Sequence, residues 1–359
     1  MVKDVKISSI QLSFLIMGFI LGSTAIVNPA AGARQDSWLA YIIGWAGGFI
    51  LIGIYVHISI LNVSKTLIEI LKENFGKVLG SITAILYIWY FIHLAALVLR
   101  NFGEYMVTVI YPETPITFIM MCVALLIAYA VKNGLEVVAR TSELFVPLLP
   151  VTIIFIFFLL IGEYDINNFL PFLENGLEPV LKTAFSVLSF PFGETVVFLM
   201  VFPCLNKREN IIKVSYLSVT IMGLITLNVI LRFLLALGPD MFTRNFFPAQ
   251  LTAELIPNVN VDPLIGINLL IGGGVKISVC LYAAVMGIAQ LFNLDDYKPF
   301  VLPAVAIVVT LSLWVYDNLF EMFRWATDIW PYYSIPFQIL IPLLLLMVSW
   351  IKKKRQYNA

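Results

Sequence analysis

Ten runs of mostly apolar residues, each near the length that crosses a bilayer as a helix, divide this chain from end to end. A spanning helix needs about 20 such residues, and the runs fall at 7–27, 38–61, 79–98, 116–131, 144–161, 180–203, 214–237, 264–292, 300–315 and 335–351. With 60% hydrophobic and only 12% charged residues among 359, the chain reads as an all-α polytopic membrane protein with ten transmembrane helices. The sixth run is the most irregular, because Pro191 interrupts it.

Charge sets the orientation, since cytoplasmic loops carry the excess of Lys and Arg. With the N-terminus inside, the inner segments hold fifteen of the 22 basic residues, including Lys3, Lys6, Lys65, Lys72, Lys77 and the terminal cluster Lys352 to Arg355. The outer segments hold Arg34, Lys182, Arg244 and Arg324, while Arg100, Arg232 and Lys276 fall inside runs. Both termini are therefore expected on the cytoplasmic side. The net charge of zero says nothing about partners, because the asymmetry lies across the membrane. The terminal cluster suits an anchor facing anionic lipid of the bilayer.

Cys122, Cys204 and Cys280 sit in or beside apolar stretches, where a free thiol behaves as a small hydrophobe, so neither a disulfide framework nor a metal site is expected. Lys3, Lys6, the first run and Ala31-Gly32-Ala33 imitate a cleaved signal peptide. The run is long for that purpose, and it carries Gly22-Ser23-Thr24 and Asn28-Pro29, which a disposable leader does not need.

The breaks in the runs carry the functional signal. Gly22-Ser23-Thr24 and Asn28-Pro29 interrupt the first run, and Ser189-Phe190-Pro191-Phe192-Gly193-Glu194 interrupts the sixth. First and sixth are the leading members of two sets of five, 1–162 and 163–359, as in transporters built from inverted repeats whose broken helices meet at the bilayer midplane and form the binding site. Exposed backbone at that depth is tolerated only where it is buried in protein or lines a cavity. A carboxylate there is costly too, by roughly 3 kcal/mol on lenient scales, so intramembrane charges are functional candidates. The bland readings stand beside these. Gly18-x-x-x-Gly22 and Gly44-x-x-x-Gly48 have the spacing that lets membrane helices pack closely, and Lys276, after Gly272-Gly273-Gly274, is an obvious counter-ion for Glu194 in a purely structural pair.

Other signals are weaker. His57 and His93 lack metal-ligand spacing and read as packed or hydrogen-bonded. Arg100 and Glu104 read as an i, i+4 surface pair at the outer end of the third run, and Arg232 as a residue snorkelling to the outer interface. Tyr90, Leu94 and Leu97 form a stripe that either walls a pocket or packs. Outer segments 175–183 and 247–256 read as interfacial helices. There is no Walker loop, dinucleotide fingerprint or metal cluster, and every loop is too short for a soluble catalytic domain, so neither an enzyme, a cofactor nor a nucleic-acid partner is expected.

Four motifs in order, Ala33-Arg34-Gln35-Asp36-Ser37-Trp38, Arg140-Thr141-Ser142-Glu143-Leu144-Phe145, Phe190-Pro191-Phe192-Gly193-Glu194 and Lys276-Ile277-Ser278-Val279-Cys280-Leu281-Tyr282-Ala283-Ala284, give a chain that over its whole length resembles the GerAB family of spore germination permeases. That family looks like a branch of the amino acid, polyamine and organocation transporter superfamily, with ten spans in a five-plus-five inverted repeat. The resemblance implies a B-type subunit of a nutrient germinant receptor in the spore inner membrane, working with A-type and C-type subunits. It further implies a small germinant, an amino acid, bound between the first, third, sixth and eighth spans. Gly22, Ser23 and Thr24 would face its carboxylate, and the opened sixth span with Gly193 and Glu194 its ammonium. Leu94, Leu97, Phe190, Phe192 and Val279 would shape the side-chain pocket, and Lys276 would suit a proton-linked or charge-paired site. An amino acid/proton symporter using the same pocket is the alternative.

Overall fold

The computed structural model describes residues 5–22, 24, 27–257 and 259–358. Among them the regular elements are helices: α1 (Ser9–Leu21), α2 (Ser37–Leu61), α3 (Leu67–Phe75), α4 (Lys77–Tyr105), α5 (Ile116–Lys132), α6 (Leu135–Phe145), α7 (Leu148–Leu159) and α8 (Leu177–Val187) in the first part of the chain. There follow α9 (Ile211–Arg244), α10 (Pro248–Glu254), α11 (Asp262–Leu291), α12 (Val301–Trp314), α13 (Leu319–Arg324), α14 (Trp330–Tyr333) and α15 (Ile341–Asn358). Seven helical stretches are long and apolar enough to cross a membrane, and α1, α5 and the stretch Lys298–Trp314 are shorter apolar helices. The chain is an integral membrane protein.

Local chemistry starts several of these helices where they start. Ser8 caps α1 in a reciprocal box with Gln11, the Gln11 amide donating to Ser8 Oγ at 3.1 Å and the Ser8 amide to Gln11 Oε1 at 2.9 Å, which satisfies donors that no helical carbonyl can reach. Thr66 and Glu69 do the same for α3. Long α9 bends at Gly238, whose φ of 71° only glycine adopts without strain, just before Pro239.

Two helices form the centre. Every residue of α4 from Tyr90 to Gly103 is buried, as is every residue of α11 from Val275 to Gly287; a helix apolar on all sides belongs inside a bundle. They pack on each other more extensively than any other pair. Helix α1 lies against α11, α9 and α6, and α2 against α8, α9 and α15. The segment ahead of α1 is tied down by a short parallel bridge, Ile7 N to Cys204 O at 2.9 Å and Asn206 N to Ile7 O at 3.0 Å.

Several expected boundaries move. The first run is helical only to Leu21, and the chain turns helical again at Ala31–Asp36. Segment 175–183 is not a separate interfacial helix, because Leu177 begins α8 and runs straight into the sixth span. The last run begins earlier than expected: Leu319–Arg355 is one stretch of helical turns, in which Pro331 follows the widened turn Trp325–Ile329 and Pro336 opens a second, Pro336–Leu340, so that the bonds a proline cannot make fall where the ladder is already loosened.

Candidate functional site

Beyond Val187 the helix widens over Leu188–Phe192, is interrupted at Phe190 (φ −135°, ψ 113°), and resumes tightly wound over Gly193–Met200. Pro191 supplies the reason, having no amide hydrogen to keep the ladder closed. The backbone groups so released are satisfied from outside the helix. Gln338 Nε2 donates to the Ser189 carbonyl at 3.0 Å and to the Tyr90 hydroxyl at 2.9 Å, and the Tyr55 hydroxyl reaches the carbonyls of Gly193 (3.1 Å) and Gln338 (2.7 Å). A Cβ on Gly193 would stand 2.0 Å from Gln338 Oε1. Neighbouring side chains thus stabilise a broken helix at a depth where water does not.

At the first break the Thr24 hydroxyl donates back to the Leu21 carbonyl at 3.0 Å. Ser23 lies outside the described residues. Gly22 is packed against α11: a Cβ there would meet the Gly272 carbonyl and Lys276 Cβ at 2.8 Å. Its close-packing role is therefore plain.

Glu194 and Lys276 meet between these breaks, Nζ to Oε2 at 2.5 Å, with side-chain exposures of 1% and 0%. The ammonium also lies 4.6 Å from the centre of the Phe190 ring and 5.2 Å from that of Phe19, where aromatic faces attract a cation. Each charge thereby offsets part of the other's desolvation cost.

Leu94, Leu97, Phe190 and Glu194 line one narrow crevice with a free interior of about 30 Å³. They are joined there by Val98 and Asn101, the next members of the same face of α4, by Val27 just beyond the first break, and by Tyr316, Trp325, Ala326 and Trp330. Gly22, Phe192, Gly193, Lys276 and Val279 are not on its walls: Phe192 packs on Gly48 and Tyr41, Val279 is fully buried, and Lys276 reaches the site through Glu194. Thr24 faces a different cavity. Asn101 was within reach of sequence reasoning, one heptad beyond Leu94, and so was Gln338, an amide in an apolar run. The Trp325 to Trp330 turn was hidden, because Asp328 and Pro331 make it read as loop.

On the side of the bundle to which the first break leads, a vestibule of about 570 Å³ is lined by Asn28, Pro29, Lys182, Ser186, Arg324, Thr327 and Asp328, among others. Crevice and vestibule share three segments, Val27 next to Asn28, Phe190 one turn after Ser186, and Ala326 next to Thr327. They are adjoining spaces along these three segments.

Two expected surface groups are interior. Arg100 bonds Glu104 at 2.7 Å with both side chains nearly buried, and its Nη1 donates to the Ser312 and Leu313 carbonyls at 3.0 and 3.3 Å, so the pair ties α4 to the end of α12. Arg232 does not snorkel; it is 3% exposed. His57 bonds the Gly53 carbonyl at 2.8 Å, and His93 is packed among Trp89, Trp325 and Tyr333.

Residues 6–320 match the family model described as spore germination protein. Spore germination protein KB of Bacillus subtilis (strain 168) is 33% identical over 365 residues, covering 99% of this chain and 98% of that protein. Spore germination protein B2 of the same organism is 21% identical over 366 residues, covering 97% and 96%. Among solved structures, a Na+-coupled sialic acid symporter in a substrate-bound, outward-open state superposes with a TM-score of 0.71 at 11% identity, covering 97% of this chain and 89% of that one. MhsT in complex with L-phenylalanine superposes with a TM-score of 0.67 at 13% identity, covering 96% of each. These two likenesses show a shared transporter fold.

Proposed function

This chain belongs to the spore germination protein family, and from that premise we propose that it is the membrane subunit of a nutrient germinant receptor, binding an amino acid in the crevice at Glu194 and passing the resulting change of conformation to A-type and C-type partner subunits. The observation that carries this reading is the Glu194 and Lys276 pair set between two broken segments beside that crevice. The pair is neutral as a whole and so suits a zwitterion. Glu194 commits one oxygen to Lys276, leaving the other for a ligand ammonium, while Leu94, Leu97, Val98 and the surrounding aromatics offer an apolar wall to its side chain.

We read the seven long apolar stretches together with the three shorter apolar helices as ten spans in two inverted repeats, 1–162 and 163–359, with both termini cytoplasmic and the vestibule on the outer face of the spore inner membrane. Ligand binding shifts such a bundle only through different affinity for its two states. The symporter alternative uses the same crevice, with Glu194 as proton carrier, and the transporter fold favours keeping it in view.

The crevice is tested by filling it. Leu97→Phe is expected to raise the amino acid concentration giving half-maximal germination by about tenfold or more, the equivalent of about 1.4 kcal/mol, at unchanged receptor abundance in the spore membrane. An unchanged response would remove the crevice from the mechanism. Accumulation of labelled amino acid by proteoliposomes under an inward proton gradient would instead decide for the symporter.

A further inference from the structure

A second cavity, sharing no wall residue with the crevice, lies behind the first break between α1, α7, α9, α10 and α11, with a free interior of about 30 Å³, room for one small ion. Its walls are mainly apolar, with Thr24, Thr226, Asn268 and Arg232 as the polar members. Arg232 stands out. It is 3% exposed, it joins none of the ion pairs among the described residues, and its Nε and Nη1 have no hydrogen-bond partner among them. The Thr226 hydroxyl lies beside that of Tyr41 without a well-formed bond between them, whereas Thr24 donates to the Leu21 carbonyl and Asn268 Oδ1 accepts from the Thr152 hydroxyl at 2.8 Å.

A guanidinium does not lose its proton in a protein, so the interior must carry its charge. Buried charges are paired or hydrogen-bonded because leaving them uncompensated is strongly destabilising, and Glu194, the carboxylate that answers Lys276, is engaged elsewhere. Among the described residues the Phe233 ring, 5.0 Å from the guanidinium, gives it an attractive aromatic face that does not balance its charge. One positive charge, free N–H groups and apolar walls together describe a receptor for a small monovalent anion.

We propose that this cavity is an anion site, in which Arg232 holds a halide or the carboxylate of a short organic acid, with Thr226 as a further donor. Multivalent oxyanions are excluded on two grounds: one guanidinium cannot balance them, and their hydration is not replaced by the isoleucine and valine walls. The bound anion would pin α9 to the end of α1, beside the first break, so that occupancy of this cavity and the state of the broken helix are linked.

The test uses purified full-length protein in detergent. Its Tm is followed as sodium bromide, sodium acetate or sodium sulfate replaces a bulky sulfonate salt at constant ionic strength. Bromide, acetate or both are expected to raise Tm progressively once their concentration passes Kd, as a ligand of the native state must, whereas any rise with sulfate, which acts by exclusion from the protein surface, is expected to persist unchanged in Arg232→Met. Bromide alone identifies an inorganic halide, acetate alone a carboxylate. Arg232→Met is expected to abolish the bromide or acetate dependence, and Thr226→Val, the milder change, to shift the half-maximal concentration upward several-fold. Crystals grown in bromide give an independent reading, with an anomalous peak expected beside the guanidinium if a halide is the occupant. Equal Tm in the bromide, acetate and sulfonate salts, or a bromide or acetate dependence that survives Arg232→Met or Thr226→Val unchanged, overturns the proposal.

Discussion

Removing either charge of the Lys276 and Glu194 pair leaves the other buried and uncompensated. Glu194→Gln is therefore expected to lower the unfolding free energy by about 3–5 kcal/mol, read from denaturant-induced unfolding in detergent, whereas the combined Glu194→Gln and Lys276→Met protein should recover at least half of that loss. Single and double variants of equal stability would mean that the 2.5 Å contact contributes nothing. The pair was legible in the sequence because charges inside apolar runs are few enough to match by sign. Arg232 was misread for the reciprocal reason: a basic residue toward the outer end of a run looks able to reach water, and only tertiary packing decides that it does not. Asn101 and Gln338 were equally visible as letters, but their significance depends on which face of a helix meets which break, and that is a property of neighbours far away in the chain.

Close approach of α1 and α11 depends on glycines that meet backbone to backbone. A Cβ on Gly272 would come within 3.1 Å of Gly22 Cα, and one on Gly22 within 2.8 Å of the Gly272 carbonyl, so neither helix can accommodate a methyl group by rotating a side chain. Gly22→Ala should cost about 1–3 kcal/mol, the usual penalty of overpacking. Gly274→Ala, two residues away from Gly272 where a Cβ meets nothing within 4 Å, should be neutral or gain up to about 1 kcal/mol by favouring the helix. Equal effects in thermal unfolding would contradict the close approach. At this scale most spans were legible, since about 20 apolar residues in lipid leave the helix as the natural solution. The ends of elements were not. Pro331 and Asp328 resemble loop, yet the helix admits them by widening at Trp325–Ile329, just ahead of the proline, an adjustment that local composition does not announce.

Taken as a whole, the molecule brings crevice and vestibule together at a turn whose main bulk is aromatic. The Trp325 ring lies 5.8 Å from that of His93, 6.1 Å from Tyr333 and 6.4 Å from Tyr316, and the turn that carries it has crevice residues on one side and vestibule residues on the other. Widened turns of this kind recur at functional sites because they hold a helix in a locally adjustable state. Aromatic contacts are worth about 0.5–1.5 kcal/mol each beyond their area, so deleting this ring should shift the balance between closed and open forms by on the order of tenfold or more. The consequence can be read chemically. In a protein carrying Cys122→Ala to remove an exposed thiol, a reporter Asn101→Cys on the crevice wall should react slowly with a membrane-impermeant thiol reagent supplied to the vestibule face, and at least several-fold faster when Trp325→Ala is added. A saturating germinant should protect the reporter in both backgrounds, because ligand and reagent compete for the same space. If Trp325→Ala leaves the labelling rate where it was, the route from vestibule to crevice does not pass this turn, and the opening that admits the ligand must lie between other helices of the bundle.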